Sequence, residues 1–309
     1  MSKNRNILTP IVVFVYNRPI HTSKTLEALK NNYLSEKSNL YIFSDGPAKK
    51  EDKPAVNEVR KIIEKIKGFN NKEIVFRDQN FGLANNIISG VSDVINKFER
   101  VIVVEDDLVC SPYFLNYMNQ LLAYFEQFEN VFSITGFNYP QTALNIPLNY
   151  PYDVYFSPRP SSWGWGTWKN IWENVDWEVK DFMKFKKDKK QQKNFNKSGT
   201  DKTEMLFRQM RGKIDSWAIR WDYHHFKYSG LCVYPTNSYI QNIGLDGLGT
   251  HSNKTKKFFH KELNRKTKLK LPNEAKVNKN ILKNFRKVFN MNKKLVIKRF
   301  INKMIDYRL

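Results

Sequence analysis

Cysteine is nearly missing from this 309-residue chain: only Cys110 and Cys232 occur. They form neither a metal-binding spacing nor a disulfide framework, which excludes a stapled secreted scaffold and fits a reducing compartment. Long hydrophobic runs are also missing, since no apolar stretch approaches the ~20 residues that cross a bilayer. The run Ile11 to Val15 is too short for the apolar region of a signal peptide and has no small-residue cleavage site after it, so a cytoplasmic location is expected. No internal repeat is visible. Aromatics, by contrast, are plentiful: 14% of residues, with seven Trp and fifteen Tyr. That excludes a disordered chain, and the length buries a full core in one large domain or two.

Acidic residues are scarce at one end only. The net charge is +22, but Lys254 to Leu309 holds 19 Lys+Arg against 3 Asp+Glu, a net of +16, while the rest carries 33 and 27. Such a surface suits nucleic acid or an anionic membrane. A nucleic-acid binder needs charge spread along a groove with exposed aromatics; here it is terminal, so no nucleic-acid partner is expected. Within 276–305, Ile281, Leu282, Phe285, Val288, Phe289, Val296, Ile297, Phe300, Ile301 and Met304 recur at near-helical spacing among Lys and Arg. This basic amphipathic pattern is the type that lies in a membrane interface, with the protein then peripheral on the inner face of the cell membrane. Periodicity alone equally allows helices packed on the domain with a solvated basic face.

The first 135 residues alternate strand-like and helix-like segments. Strands are expected over Ile11–Tyr16, Leu40–Phe43, Glu73–Phe76, Val101–Val104 and Val131–Thr135. Helical periods fall over Pro19–Leu29, Glu51–Lys67, Leu83–Phe98 and from Ser111-Pro112 through Phe125. Strict alternation of this kind predicts an α/β fold with a mostly parallel central sheet, flanked by helices and linked by right-handed crossovers. After residue 136 the periodicity weakens. Residues 137–177 are rich in Pro, Gly and aromatics, 180–202 read as a polar helix or loop, and a strand recurs near Leu231 to Tyr234.

Three acids, Glu105-Asp106-Asp107, follow the β-branched run Val101 to Val104. Unpaired carboxylates cannot stay in a strand's core, so they should emerge at its carboxyl end. Open α/β sheets bind ligands at that edge. Clustered carboxylates there suit a hard divalent cation, which in turn suits a phosphate-bearing substrate. The residues alone also allow a solvated acidic turn.

Asp45 in Ser44-Asp45-Gly46 and the segment Asn80 to Asn86 follow earlier strands on the same edge. With the triplet, this ordered set resembles nucleotide-sugar glycosyltransferases of the GT-A (Rossmann-like) fold, similar to family 2 enzymes and to N-acetylglucosaminyltransferase I, over residues 9–252. The resemblance implies a transferase domain over 1–252, with a nucleotide-binding half (1–135) and an acceptor half (136–252), followed by a basic helical tail (253–309). It implies that Asn17 and Arg18 line the nucleotide cleft, that Asp45 accepts a hydrogen bond from the base, and that Asn80 and Gly82 approach the nucleotide. Asp107 would bind Mn²⁺ or Mg²⁺, with Glu105 and Asp106 on ribose or metal-bound water, and His251 would be a second metal ligand. Trp163, Gly164 and Trp165, in Trp163-Gly164-Trp165-Gly166, would form an aromatic glycine-rich loop at the junction of donor sugar and acceptor. Asp215 would be the general base of an inverting transfer, with Glu204 and Asp222 as rivals. His224 and His225 match no motif and read as structural.

The expected partners are a nucleotide-sugar donor, most simply UDP-linked, and a glycan or lipid-linked glycan acceptor in bacterial surface polysaccharide synthesis. The alternative, a nucleotidyltransferase, would carry a Gly-rich, Arg-containing loop after the first strand; Tyr16-Asn17-Arg18-Pro19 has no glycine.

Overall fold

The computed structural model describes residues 8–246, 255 and 257–290. The first half alternates as its periodicity requires. β1 (Ile11–Val15), α1 (Pro19–Lys30), β2 (Asn39–Ser44), α2 (Lys53–Lys65), β3 (Asn71–Phe76), α3 (Leu83–Phe98) and β4 (Arg100–Glu105) follow one another. A short β5 (Leu108–Cys110), α4 (Phe114–Tyr124) and β6 (Val131–Thr135) complete this half. The second half adds β7 (Val154–Ser157), β8 (Trp165–Trp168), α5 (Lys169–Trp172), α6 (Phe182–Lys187), α7 (Lys189–Phe195) and α8 (Lys202–Met210). It ends with α9 (Trp217–Lys227), β9 (Leu231–Pro235), β10 (Ile240–Asn242) and α10 (Lys279–Val288).

Eight strands form one sheet in the order β3-β2-β1-β4-β8-β6-β9-β7, and β10 pairs with β5 in a small second sheet. The β3-β2-β1-β4 block is parallel throughout. Its register sets Ser44 beside both Val15 and Phe76, and Glu105 beside Phe14, so the four carboxyl ends share one edge. β1 and the core of β4 are fully buried, as their β-branched runs demand. One sheet face packs Leu26, Leu29, Val59 and Ile63 with α4 residues such as Phe114, Met118 and Leu122. The other packs Ile87, Val91 and Val94 of α3 with a tryptophan cluster.

Only Trp163 of the Trp-Gly segment keeps the partly exposed, loop-like placement that the resemblance implied; Gly164 and Trp165 do not. From Trp165 the segment is a central strand, running antiparallel between β4 and β6 with Gly166 opposite both Ile102 and Ile134. Glycine is required there because helix α4 presses close: a β-carbon on Gly166 would sit 2.8 Å from the Val101 carbonyl and 3.1 Å from Met118 Cε. Trp165 has no exposed surface. It stacks on Trp217 at 5.0 Å and borders Trp172 and Trp221, so its ring is structural and out of reach of a sugar. Gly164 is also buried, at φ +59°, with Ile240 where a β-carbon would lie.

The expected break near residue 252 is not a break in packing. Lys270 and Asp153 exchange hydrogen bonds, Asn264 N–H donates to the Ser238 carbonyl, and Leu269 and Leu271 pack on the main core. In α10 the apolar stripe faces inward: Ile281 and Phe285 are buried beside Tyr155, Cys232 and Tyr234. That side of the tail pattern is therefore spent on the core up to residue 290. Residues 291–309, which carry the rest of the pattern, lie outside the described residues.

Candidate active site

Loops at the shared edge of β1 to β4 bring most of the expected residues together. After β1, Arg18 precedes α1, whose Pro19 begins the helix with no N–H to satisfy. Its Nη1 lies 2.9 Å from Asp107 Oδ2 and 3.8 Å from Asp106 Oδ1. Arg18 Nε and Nη2 are buried and have no hydrogen-bond partner among the described residues. The backbone after β10 closes over this pair: Ile243 N–H donates to the Asp107 carbonyl, and a β-carbon on Gly244 would collide with Asp107 Oδ2. His21 and Asp246 tie the same segment to α1 at 2.9 Å.

The triplet is short of positive charge. One guanidinium faces three carboxyls. Burial first, then the neighbouring carboxylates, push Glu105 up to about 8 and Asp106 up to about 7. Among the described residues no three His, Cys, Asp or Glu side chains converge to hold a metal ion by themselves. The donor set nevertheless fits one class of ion. A Mg²⁺-like cation commonly takes one or two carboxylates from the protein and fills its other positions with phosphate oxygens and water, and Asp107 offers such a carboxylate at 20% exposure. His251 lies outside the described residues.

Further along the edge, Asp45 and Asn80 meet. Asp45 Oδ1 accepts the N–H groups of Gly46 and Phe81, while Asn80 Nδ2 donates to Asp45 Oδ2 and the Gly46 carbonyl. Burial raises the Asp45 pKa against those donors. A nucleobase N–H is left with Oδ2 alone, shared with Asn80. Asn17 points to Asp52, which also takes the Tyr16 hydroxyl at 2.8 Å. Asp52 was missed from sequence. Its only local mark is an acid ahead of Lys53-Pro54, a common helix start.

A cavity of about 540 Å³ opens beside the triplet, lined by Glu105, Trp163, Glu204, Arg208, Asp215 and Trp217 among others. Gly82, at φ +74°, brings the start of α3 against this wall. Asp215 Oδ2 accepts from Ala84 N–H at 3.3 Å, and Gly82 has room for a β-carbon only 3.4 Å from the same oxygen. The Asp215 side chain is 54% exposed, with Arg220 3.9 Å from Oδ1. Trp163 is half-buried with its ring against Phe137, 4.4 Å between centroids. Glu204 stands on α8 in the same cavity, and Arg208, missed from sequence, lies one turn on.

Asp222 drops out of the list of rival bases. It is buried 2.7 Å from Lys202 Nζ, away from the cavity. Burial raises the Asp222 pKa and lowers that of Lys202, while each partner opposes the shift of the other. Removing one charge strands the other. Asp222→Ala is expected to cost roughly 3–5 kcal/mol, read as a melting point lower by several degrees; an unchanged melting curve would contradict the pairing. His224 and His225 are structural, as expected: His225 bonds Ser133 and the Trp221 carbonyl, and burial holds both histidines neutral.

A model of the GNT-I family matches residues 2–210. No curated protein sequence matches the chain. Among solved structures, the mannosyltransferase PcManGT from Pyrobaculum calidifontis, in complex with GDP-Man and Mn²⁺, is 12% identical at a TM-score of 0.38, covering 57% of this chain and 50% of that one. Residues 1–349 of TarS from S. aureus are 10% identical at 0.40, covering 77% and 62%. The chain thus spans about half to three-fifths of the length of these structures.

Proposed function

The chain belongs to the GNT-I family, and from that premise we propose that it is a glycosyltransferase of GT-A type that transfers a sugar from a UDP-sugar to a hydroxyl of a lipid-linked bacterial surface glycan, with a divalent cation and with inversion. The observation that carries this reading is the Arg18–Asp107 pair on the carboxyl edge of the sheet, beside a cavity that also holds Glu105, Trp163 and Asp215.

In this mechanism Asp45, Asn80 and Gly82 bound the nucleoside, and the free Nε and Nη2 donors of Arg18 take phosphate oxygens. Asp107 would hold Mn²⁺ or Mg²⁺, with Glu105 and Asp106 on ribose or metal-bound water, and the cation would supply positive charge against the negative charge that builds on the departing diphosphate. His251, outside the described residues, would be the second protein ligand that the family resemblance implies. Trp163 offers the partly exposed ring on which the sugar lies. Asp215 takes the proton of the acceptor hydroxyl as that oxygen bonds to the anomeric carbon and the carbon–phosphate oxygen bond breaks, releasing nucleoside diphosphate. An attack from the side opposite the leaving group gives inversion. The enzyme acts in the cytoplasm, peripheral to the membrane that carries its acceptor.

Thermal melts with UDP- and GDP-linked sugars, each with and without Mn²⁺, test the donor and cation together. A UDP-sugar at about 100 times its Kd should stabilise the protein by about 2.7 kcal/mol, with most of the shift lost in a chelator. Stabilisation by GDP-sugars alone, or equal shifts in the chelator, would overturn the donor or the metal assignment respectively.

A further inference from the structure

Helices α6 and α7 carry a dense set of cations that the transfer site does not use. Lys184, Lys186, Lys187, Lys190, Lys193 and, in the turn just after α7, Lys197 are all exposed, and among the described residues none of them forms an ion pair. The two acids nearby are occupied: Asp181 pairs with Lys227 at 2.9 Å, and Asp188 caps α7 by accepting from Gln191 N–H. Met183 adds an apolar side chain, 58% exposed, in the middle of this charge. Below the surface lies a second cavity, of about 660 Å³, whose walls include Lys184, Lys197, Phe185, Phe195, Phe226 and Leu282. Leu282 belongs to α10, whose outer side presents Lys279, Lys283, Arg286 and Lys287 to solvent. Of these basic residues Lys184 and Lys197 line the cavity, with Asp181 and Asp188 also in its wall; the others stand on the exposed sides of α6, α7 and α10.

We propose that this basic region docks the protein on an anionic phospholipid leaflet, with headgroup phosphates held by the exposed α6–α7 lysines. Charge complementarity selects the occupant, since unpaired lysines beside an exposed methionine match a surface of phosphates over hydrocarbon. A nucleic acid would instead call for exposed aromatic stacking platforms, and Phe185 and Phe195 are buried. The placement also serves transfer. Leu206 of α8 packs against Phe185 and Phe195, and the same helix sets Glu204 and Arg208 in the 540 Å³ cavity. A leaflet on α6–α7 thus lies one helix away from the acceptor side.

The test is co-sedimentation of the full chain with vesicles of phosphatidylglycerol and phosphatidylcholine, read without turnover, so that its failure leaves the transfer reading standing. Changing Lys186, Lys190 and Lys193 together to Gln should weaken binding to the mixed vesicles by on the order of 100-fold with an unchanged melting curve, and vesicles of phosphatidylcholine alone should not bind. A parallel variant with Lys293→Gln, Lys294→Gln and Lys298→Gln separates this face from the chain's end. The proposal is overturned if the α6–α7 variant binds like the parent, if the 293–298 variant alone loses binding, if neutral vesicles bind equally, or if an RNA oligonucleotide binds and the vesicles do not.

Discussion

Asp107→Ala is expected to lower kcat by about 1,000-fold or more, because a cation that stabilises the leaving diphosphate contributes several kcal/mol. The loss should fall more on turnover than on donor binding. In the free protein Asp107 is also the counter-ion of Arg18, at 2.9 Å. Removing the carboxylate releases a guanidinium that already has two unpartnered donors, and the donor's phosphates can take its place. Donor affinity measured by calorimetry should therefore drop far less than kcat, and raising Mn²⁺ should not restore the rate. Full activity in Asp107→Ala would remove the metal assignment, and a loss confined to KM would make Asp107 a binding residue only.

Asp215→Asn is expected to keep donor binding and lose transfer by about 100- to 10,000-fold, the range of a positioned general base. The substitution is nearly isosteric, and its amide oxygen can still accept from Ala84 N–H, so the start of α3 stays in place. What it removes is a carboxylate able to accept a proton at the cavity wall. Glu204→Gln is the companion measurement, because Glu204 shares the cavity. Near-normal transfer by Asp215→Asn beside a collapse in Glu204→Gln would reassign the base. A fall in both by similar factors would mean that the two carboxylates orient the acceptor jointly and that neither alone takes the proton.

The first half was legible because each of its signals is local. Buried parallel strands read as unbroken β-branched runs, and a charged triplet at the end of one can only emerge at the sheet edge. The register of β1 to β4 then lines up Arg18, Asp45, Asn80 and Asp107 with no further information. The second half was harder because its order comes from partners far along the chain. Trp163 and Trp165 stand two residues apart in the same composition, yet one lines the cavity and the other lies beneath it. Trp217 and Met118, which decide this, lie more than 40 residues away. Asp222 stayed a rival of Asp215 for the same reason, since the ion pair with Lys202 appears only once α8 packs on α9. In α10 the periodicity correctly marked an apolar stripe and said nothing about what covers it; the cover is Tyr155, Cys232 and Tyr234, elements that sequence spacing cannot connect to it.

That covering bears on how the protein is made. Phe285 closes a cluster begun by Leu144 and Tyr155, and Phe289 lies over the Arg159 guanidinium at 3.7 Å, the same group that clamps Asp201 beside the start of α8. The family match stops at residue 210, but these contacts join residues more than 100 positions apart. During synthesis, the aromatic surface around Tyr155 stays without its lid until the chain has emerged past residue 289. The interval is a window in which a nascent chain exposes apolar surface and is open to chaperones or to aggregation, and a stop codon anywhere before α10 would make that window permanent.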